Sequence, residues 1–135
     1  MTHTICMKRF LEWIGIKQKL HETVVTQPLF KEDEVWWCGL GENIGIEING
    51  KSAVFSRPVV IYKKLGREGC MVIPMSTKLK EGSWYLSMSF QNKQVTFNIA
   101  QARVISASRL YSKIGELDAI DSCLLAKAFI SLYTR

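Results

Sequence analysis

The segment SRPVVIYKKLGREGCMVIPMST, residues 56–77, has the pattern of a β-hairpin. Two runs rich in β-branched and other apolar residues flank a short turn with glycines at positions 66 and 69. Pro58 suits the first residue of a strand, where no donor of the ladder is lost, and it biases Arg57 towards an extended backbone. Pairing of the two runs would bring Arg57, at the start of one strand, close to Ser76, at the end of the other. The segment therefore predicts a hairpin that places a permanent positive charge beside a hydroxyl group.

Further short strands are predicted on both sides of this hairpin. They are EVWWCGLG (34–41), WYLSMSF (84–90), QVTFNIA (94–100) and ARVIS (102–106), the last of which is predicted to be the final strand. Alternation in the second of them predicts a core-facing side formed by Trp84, Leu86, Met88 and Phe90. The segment 42–56 is interpreted as a β-ribbon with its turn at Asn49-Gly50, which is a favoured hairpin pair.

Helices are predicted near both ends of the sequence. Residues 7–22 are amphipathic, with an apolar side that comprises Phe10, Trp13, Ile14 and Leu20. A basic amphipathic helix can lie on a membrane, but we expect this one to pack on its own domain or on a second subunit. Residues 117–134 predict a second helix with Asp118 as its N-cap and an apolar side of Leu117, Ile120, Leu124 and Leu132. Short antiparallel strands followed by a helix predict a mainly β fold with flanking helices (α+β), in which a helix docks on a small barrel.

Composition and charge limit the class of protein. The 135 residues suit one domain, and the four cysteines are scattered without a C-x-x-C pair. The amino terminus has no apolar segment typical of a signal peptide, so we expect a cytoplasmic protein without a membrane partner. The net charge is +6, and residues 51–80 alone carry 7 basic and 1 acidic side chains. A clustered basic field of this kind favours a polyanion such as nucleic acid.

The residues available for catalysis are few. Both histidines, His3 and His21, precede the predicted barrel, which therefore lacks the side chain best suited to proton transfer near neutral pH. The acidic run at residues 32–34 is interpreted as a solvated turn, so no metal site is predicted. Arginine, lysine, hydroxyl and amide groups remain, and these can serve RNA cleavage by the substrate's own 2′-hydroxyl. That reaction needs alignment and stabilisation of phosphorane charge, and the arginine fork matches phosphate oxygens.

The order of several motifs resembles the MazF/PemK family of toxin endoribonucleases over residues 31–133. The motifs are KEDEVWWCGLG (31–41), SRPVVI (56–61), MVIPMST (71–77) and QARVIS (101–106). The resemblance implies a small SH3-like barrel with a C-terminal helix, usually a homodimer inhibited by a partner antitoxin. It also implies sequence-selective cleavage of single-stranded RNA without a metal or cofactor, leaving a 2′,3′-cyclic phosphate and a 5′-hydroxyl.

The resemblance also assigns roles to individual residues. It places the catalytic arginine at Arg57 and the catalytic hydroxyl at Ser76, where the family usually has threonine. Further RNA-binding residues are implied or expected at Glu47, Lys51, Thr77, Lys78, Lys80, Gln101 and Arg103. Some members carry an acid directly before the late glutamine, whereas this chain has Ala100 there.

The sequence leaves open the class of function and the role of the N-terminal helix. The alternative to a toxin endoribonuclease is a non-catalytic barrel that binds nucleic acid or a protein target, including a role like that of the gyrase poisons. We expect residues 31–135 to form the barrel domain and residues 1–30 to form an extension of helix and connector. That helix could cap the barrel, extend a dimer or mimic an antitoxin segment.

Overall fold

The predicted hairpin lies at the centre of the sheet in a computed structural model, which describes residues 9–22 and 29–135. Its elements, in chain order, are α1 (Phe10–Glu22), β1 (Glu34–Gly39), β2 (Ser56–Leu65), β3 (Gly69–Ser76), β4 (Tyr85–Phe90), β5 (Lys93–Asn98), β6 (Arg103–Ser106), β7 (Leu110–Glu116) and α2 (Ala119–Tyr133). Short 3₁₀ helices at Ile99–Gln101 and Ala107–Arg109 flank β6. Residues 7, 8 and 23–28 of the predicted first helix and connector, and His3, lie outside the described residues.

The strands form one antiparallel sheet in which β3 is the branching strand. The order is β4-β5-β3-β2-β1-β7, and β6 also pairs with β3. Along one edge, β3 pairs with β6 from Gly69 to Val72 and with β5 at Met75 and Ser76. Pro74 lies at the changeover, and a proline cannot donate to a ladder. β3 therefore changes its partner from β6 to β5 near Pro74, and Ser76 lies in the part that pairs with β5.

Apolar side chains on the two faces of the central strands form two cores. One core contains Trp36, Cys38, Val59, Ile61 and Val72 among its members and extends to β6. The other contains Val35, Val60 and Ile73, and it is covered by β4, β5 and α2. Because Val59, Val60 and Ile61 of β2 enter opposite cores in turn, a shift of register would move each of them to the wrong face.

The predicted fold class is confirmed, and the sheet is not closed. In the described part of the chain no strand pairing joins β4 to β7. The two ends are connected instead by the Gln91 amide, which donates to the main-chain oxygen of Ile114 at 3.0 Å.

Three predictions about the strands are wrong. β6 is not the last strand, because β7 follows it and pairs with β1 through a ladder that contains two register shifts. Residues 42–56 form no β-ribbon: Asn49-Gly50 is not a hairpin turn, and the only bridge in this segment joins Lys51 to Ser56. Trp84 does not face the core, since its side chain is 59% exposed.

Both helices form, but their apolar sides differ from those predicted. Asp118 is the N-cap of α2, and its carboxylate accepts a hydrogen bond from the amide of Asp121 at 2.8 Å. Leu125 is the buried residue of α2, whereas Ile120 and Leu124 are exposed. In α1 only Trp13 is buried. No helix among the described residues combines the length and apolar character needed to span a membrane.

The acidic run before β1 is not a solvated turn throughout. Glu34 is buried, and its carboxylate accepts from the Lys31 amide at 2.8 Å and from the Trp36 indole at 3.1 Å. Lys113 on β7 pairs with the same carboxylate at 2.9 Å. Burial acts to raise the pKa of Glu34, but these donors outweigh it and hold the pKa below its ordinary value. The carboxylate therefore ties the sheet edge at β7 to the start of β1.

Candidate functional site

Arg57 and Ser76 lie at the same end of the β2–β3 hairpin. The ladder ends at the pair of Val59 with Pro74, two residues from each of them. Both residues line one cavity of about 360 Å³ at this end of the hairpin. The complete lining comprises Trp37, Lys51, Ser52, Ser56, Arg57, Pro58, Met75, Ser76 and Thr77. The structure therefore brings together the charge and the hydroxyl that the sequence paired.

The guanidinium of Arg57 is half-buried and is held by a main-chain acceptor. Its Nε donates to the oxygen of Asn49 at 2.8 Å. No carboxylate within the described residues forms an ion pair with it. Burial lowers the pKa of Arg57 from its ordinary value, because a charged group loses solvation there. The arrangement orients the fork through Nε and leaves the terminal N–H groups for an anionic ligand.

Ser76 ends β3 at the junction with β5. Its backbone pairs with Thr96, and its hydroxyl oxygen accepts a hydrogen bond from the Lys78 amide at 3.1 Å. An acceptor bond of this kind leaves the hydroxyl proton free to be donated to a ligand oxygen. Ser76 can therefore act as a neutral donor beside the Arg57 cation.

A second cavity, of about 190 Å³, shares Lys51, Arg57 and Ser76 with the first. Its remaining lining residues are Ile46, Ile48, Lys78, Lys80, Tyr85 and Asn98. The three shared residues thus lie on the boundary between an apolar cavity, floored by side chains such as Trp37 and Met75, and a smaller cavity with polar groups. A ligand that extends through both must pass this boundary.

The predicted basic residues around the boundary are exposed. Lys51 and Lys78 project from the turns that follow residue 50 and β3, and Thr77 lines the larger cavity. The ammonium of Lys80 lies 5.5 Å from the centre of the Tyr85 ring. Such flexible ammonium groups attract phosphates without reading sequence.

Glu47, Gln101 and Arg103 line a third cavity of about 370 Å³ rather than the cavities around Arg57. The Glu47 carboxylate accepts from the Ile44 amide at 2.9 Å, within its own loop. The Gln101 amide accepts from the Ile48 amide at 3.1 Å and donates to the Ile46 oxygen at 3.1 Å. Gln101 therefore holds the loop of residues 42–50, which provides the Asn49 oxygen for Arg57.

Sequence reasoning missed several residues that complete the site. Trp37 was identified only as a strand residue, yet its side chain is 41% exposed between the buried Trp36 and Cys38. Period-2 alternation through the segment VWWC would have placed the two tryptophans on opposite faces. Asn49 was interpreted as a turn residue, and no local pattern indicates that its oxygen accepts from an arginine eight positions later.

The described residues contain no cluster of three or more His, Cys, Asp or Glu side chains that could share a metal ion. The two buried cysteines, Cys38 and Cys70, are free thiols, and burial raises their pKa to about 12 and about 11. Groups protonated at neutral pH and enclosed in a core make poor nucleophiles.

A family model described as "PemK-like, MazF-like toxin of type II toxin-antitoxin system" matches residues 31–133. A search of curated proteins finds no match. The fold is similar to the crystal structure of MazF (Form-I) from Deinococcus radiodurans, with a TM-score of 0.67, 13% identity, and coverage of 80% of this chain and 99% of that one.

Two further solved structures share the fold. An endoribonuclease in complex with its cognate antitoxin, from a mycobacterial species, has a TM-score of 0.57 and 12% identity, with 76% of this chain and 93% of that chain covered. The Mycobacterium tuberculosis toxin MazF-mt6 has a TM-score of 0.51 and 20% identity, with 58% and 86% covered. At these identities the likeness concerns the fold, and the function must be argued from the site.

Proposed function

The chain belongs to the PemK-like, MazF-like toxin family of type II toxin–antitoxin systems, and we propose that it is a metal-independent endoribonuclease acting on single-stranded RNA. The observation that carries this proposal is the position of Arg57, which is held by the Asn49 oxygen at the boundary of two cavities that it shares with Ser76. A scissile phosphate at this boundary meets a fixed cation and a hydroxyl donor.

The proposed reaction uses the nucleophile that RNA carries. The 2′-oxygen forms a bond to the phosphorus, the bond from phosphorus to the 5′-oxygen breaks, and the products are a 2′,3′-cyclic phosphate and a 5′-hydroxyl. The proton lost by the 2′-hydroxyl is balanced by the proton that the leaving 5′-oxygen gains. Arg57 stabilises the negative charge of the phosphorane, and Ser76 donates to a phosphate oxygen. Electrostatic stabilisation of this kind is stronger where water is partly excluded, and the Arg57 guanidinium is half-buried.

The two cavities next to the boundary suggest where the neighbouring nucleotides lie. The larger cavity offers the face or edge of Trp37 with Pro58 and Met75, which suits an unstacked base. The smaller cavity offers Tyr85 and Asn98, which can stack with a base and form hydrogen bonds to it. Lys51, Lys78 and Lys80 attract the phosphates, and Thr77 donates at the rim. We therefore propose a single-stranded RNA path across the end of the β2–β3 hairpin.

The third cavity extends the proposed path. Arg103 is placed to bind a further phosphate, and Glu47 is placed to accept from a base edge. Gln101 contributes chiefly by holding the loop that separates this cavity from Arg57. Glu47 and Arg103 thus form the more distant part of the proposed RNA-binding surface, and Gln101 supports it.

Family membership also leads us to propose partners and a location. One of the structurally similar proteins is described as an endoribonuclease in complex with its cognate antitoxin. By the same logic we propose a cognate antitoxin for this chain, a homodimeric state and a cytoplasmic location. Residues 31–135 form the proposed catalytic unit, and residues 1–30 form an extension to it.

The deciding experiment is incubation of the purified full chain with long single-stranded RNA in EDTA. We expect cleavage to cyclic-phosphate ends, detected by resistance of the 3′ end to polyadenylation until the cyclic phosphate is removed. Arg57→Ala should abolish cleavage while RNA binding persists. Intact RNA across diverse sequences, with binding retained by the wild-type protein, would instead support a non-catalytic binding module.

A further inference from the structure

The helix α1, which precedes the family match at residues 31–133, contacts the turn that forms one wall of the site. We infer that α1, together with Arg9 directly before it, is a positioning element for the turn of residues 51–56, acting through Arg9 and Trp13 on Phe55. The effect of α1 on catalysis rests on the proposed function, whereas its effect on the conformation of the turn does not.

The turn itself has an unusual backbone. Lys51 and Ser56 form an isolated bridge with reciprocal hydrogen bonds of 2.7 and 2.8 Å. Between them, Ser52 has a φ of 71° and Phe55 has a φ of 54°. A left-handed conformation is unfavourable for a bulky residue such as phenylalanine, and it persists only where the surroundings determine it. The turn therefore requires contacts beyond its own hydrogen bonds.

Some of the contacts that hold the turn come from the main chain of residues 40 and 41. The Phe55 oxygen accepts from the amides of Leu40 and Gly41 at 3.0 and 3.2 Å. A Cβ atom on Gly50 would lie 1.6 Å from the same oxygen, so only glycine fits there. These contacts fix the Phe55 backbone but leave its ring to be held by other groups.

The groups that hold the ring come from α1 and from Arg9, the residue directly before it. The Trp13 ring lies 5.6 Å from the Phe55 ring, and the Arg9 guanidinium lies 4.4 Å above the centre of the Phe55 ring. Phe55 is only 1% exposed and Trp13 only 5%. Arg9 also donates to the Ser52 oxygen at 3.1 Å, so Arg9 and α1 together contact the turn at both left-handed residues.

Trp13 is in turn anchored on the sheet. Its indole lies so close to Gly41 that a Cβ atom there would be 2.1 Å from the ring, and the guanidinium of Arg109 lies 5.7 Å from the ring centre. Arg109 itself donates to the Gly39 oxygen at 3.0 Å. The path from the sheet through Trp13 to Phe55 is thus continuous.

The turn of residues 51–56 contributes three residues to the wall of the site. Lys51, Ser52 and Ser56 all line the cavity that contains Arg57 and Ser76. Small displacements of groups that align a substrate lower rates strongly. Loosening of the turn should therefore move the wall of the RNA site while leaving the β2–β3 hairpin in place.

The test is local hydrogen exchange in the full-length protein, combined with RNA cleavage. In Trp13→Ala, we expect the amides of Lys51 and Ser56 to exchange at least 10-fold faster than in the wild type, with β4 and β5 unchanged, and kcat to fall on the order of 10-fold. Trp13→Phe retains a ring and should restore part of both effects. Leu11→Ala is the matched control, because Leu11 lies on the same helix and is 86% exposed.

The outcomes separate this inference from the proposed function. Unchanged exchange at Lys51 and Ser56 would overturn the inference, because α1 would then not hold the turn. Equally accelerated exchange across the whole sheet would also overturn it, because α1 would then stabilise the whole fold and not the turn in particular. Failure of the wild type to cleave RNA would overturn the proposed function alone, because the exchange measurement still decides whether α1 positions the turn.

Discussion

Arg57 donates its Nε–H to the main-chain oxygen of Asn49 at 2.8 Å, so a loop residue orients the guanidinium on which the proposed chemistry depends. The bond uses the part of the fork that a lysine lacks. We therefore expect a charge of the same sign at this position to be insufficient for the proposed reaction, which also requires the group to be directed at the phosphate.

Arg57→Lys tests this geometry. We expect RNA cleavage to fall about 10²–10³-fold although the positive charge is kept, since one preorganised donor set for the transition state is lost. Cleavage of a labelled single-stranded RNA in EDTA gives the rate. Arg67→Lys, in the exposed turn between β2 and β3, is the control and should cleave at the wild-type rate. A fully active Arg57→Lys would show that orientation by Asn49 is irrelevant.

Ser76 tests whether a hydroxyl is the feature that matters. Ser76→Thr keeps the hydroxyl and should cleave within a few-fold of the wild type, whereas Ser76→Ala should lose on the order of 10–10²-fold. Ser89→Ala removes an exposed strand hydroxyl away from the cavities and serves as the control. Equal rates for the alanine and threonine variants would remove Ser76 from the mechanism.

Trp37 is expected to influence which bases flank the cleavage site. Trp37→Ala removes the aromatic floor of the larger cavity, and base–aromatic stacking contributes about 1–3 kcal/mol per base. Sequencing of the cleavage ends from a random RNA pool should show a relaxed preference at one flanking position. Trp84→Ala is matched in chemistry but lies outside the cavities described, so its profile should equal that of the wild type. Identical profiles for both variants would exclude a base-binding role for Trp37.

Gln101 is expected to act through the loop and not through base recognition. Gln101→Ala removes two hydrogen bonds to the backbone of Ile46 and Ile48, so the loop should become a site of early proteolysis, and RNA cleavage should fall. The cleavage sequence should not change. Gln94→Ala, at an exposed position near the start of β5, is the control. A changed sequence preference with an unchanged proteolysis pattern would support direct base contact instead.

The buried carboxylate of Glu34 gives a pH dependence of stability. Its pKa is lowered in the folded state, so its contribution is present above the unfolded value near 4.5 and is lost as the pH falls through the folded value. Glu34→Gln should lower the free energy of unfolding at pH 7 by about 1–3 kcal/mol, because donors lose a charged acceptor. The variant should also lose less stability than the wild type between pH 5 and about 3.

Urea denaturation across this pH range measures both effects. Glu81→Gln, in the exposed loop before β4, should retain the wild-type pH profile. Parallel profiles for wild type and Glu34→Gln would contradict the assigned role of the ion pair with Lys113.

The hairpin and the location of Arg57 and Ser76 in one cavity at its end were predictable because their signals are local. A run of β-branched residues and a short glycine-containing turn act within some twenty residues. The expectation that Pro58 is the first residue of the strand is wrong, because β2 begins at Ser56 and Pro58 pairs with Trp37 inside the ladder. The family motifs occupy the same segment, and the match at residues 31–133 confirms the resemblance that they indicated.

The remaining parts depend on tertiary contacts. β7 is half-exposed and is held by its ladder to β1, so its own pattern is weak. Asn49-Gly50 has the composition of a hairpin turn, but Gly50 packs against the Phe55 oxygen and its amide bonds to Gly41. In α2, apolar residues occur on several sides, and docking on the sheet selects Leu125. Such choices are made by packing, which overrides local propensity.

The line between β4 and β7, which the Gln91 side chain crosses, is a weak boundary of the sheet. The side-chain amide of Gln91 forms one hydrogen bond to the Ile114 oxygen at this boundary, where, in the described part of the chain, no ladder joins β4 to β7. A thermal fluctuation or a pulling force that parts these strands breaks this hydrogen bond and the packing of Phe90 near Gly115 but leaves every strand pair intact, so opening should begin along this line. The edges that become accessible there are unpaired strands, and these are the surfaces through which copies of the chain would first aggregate under stress.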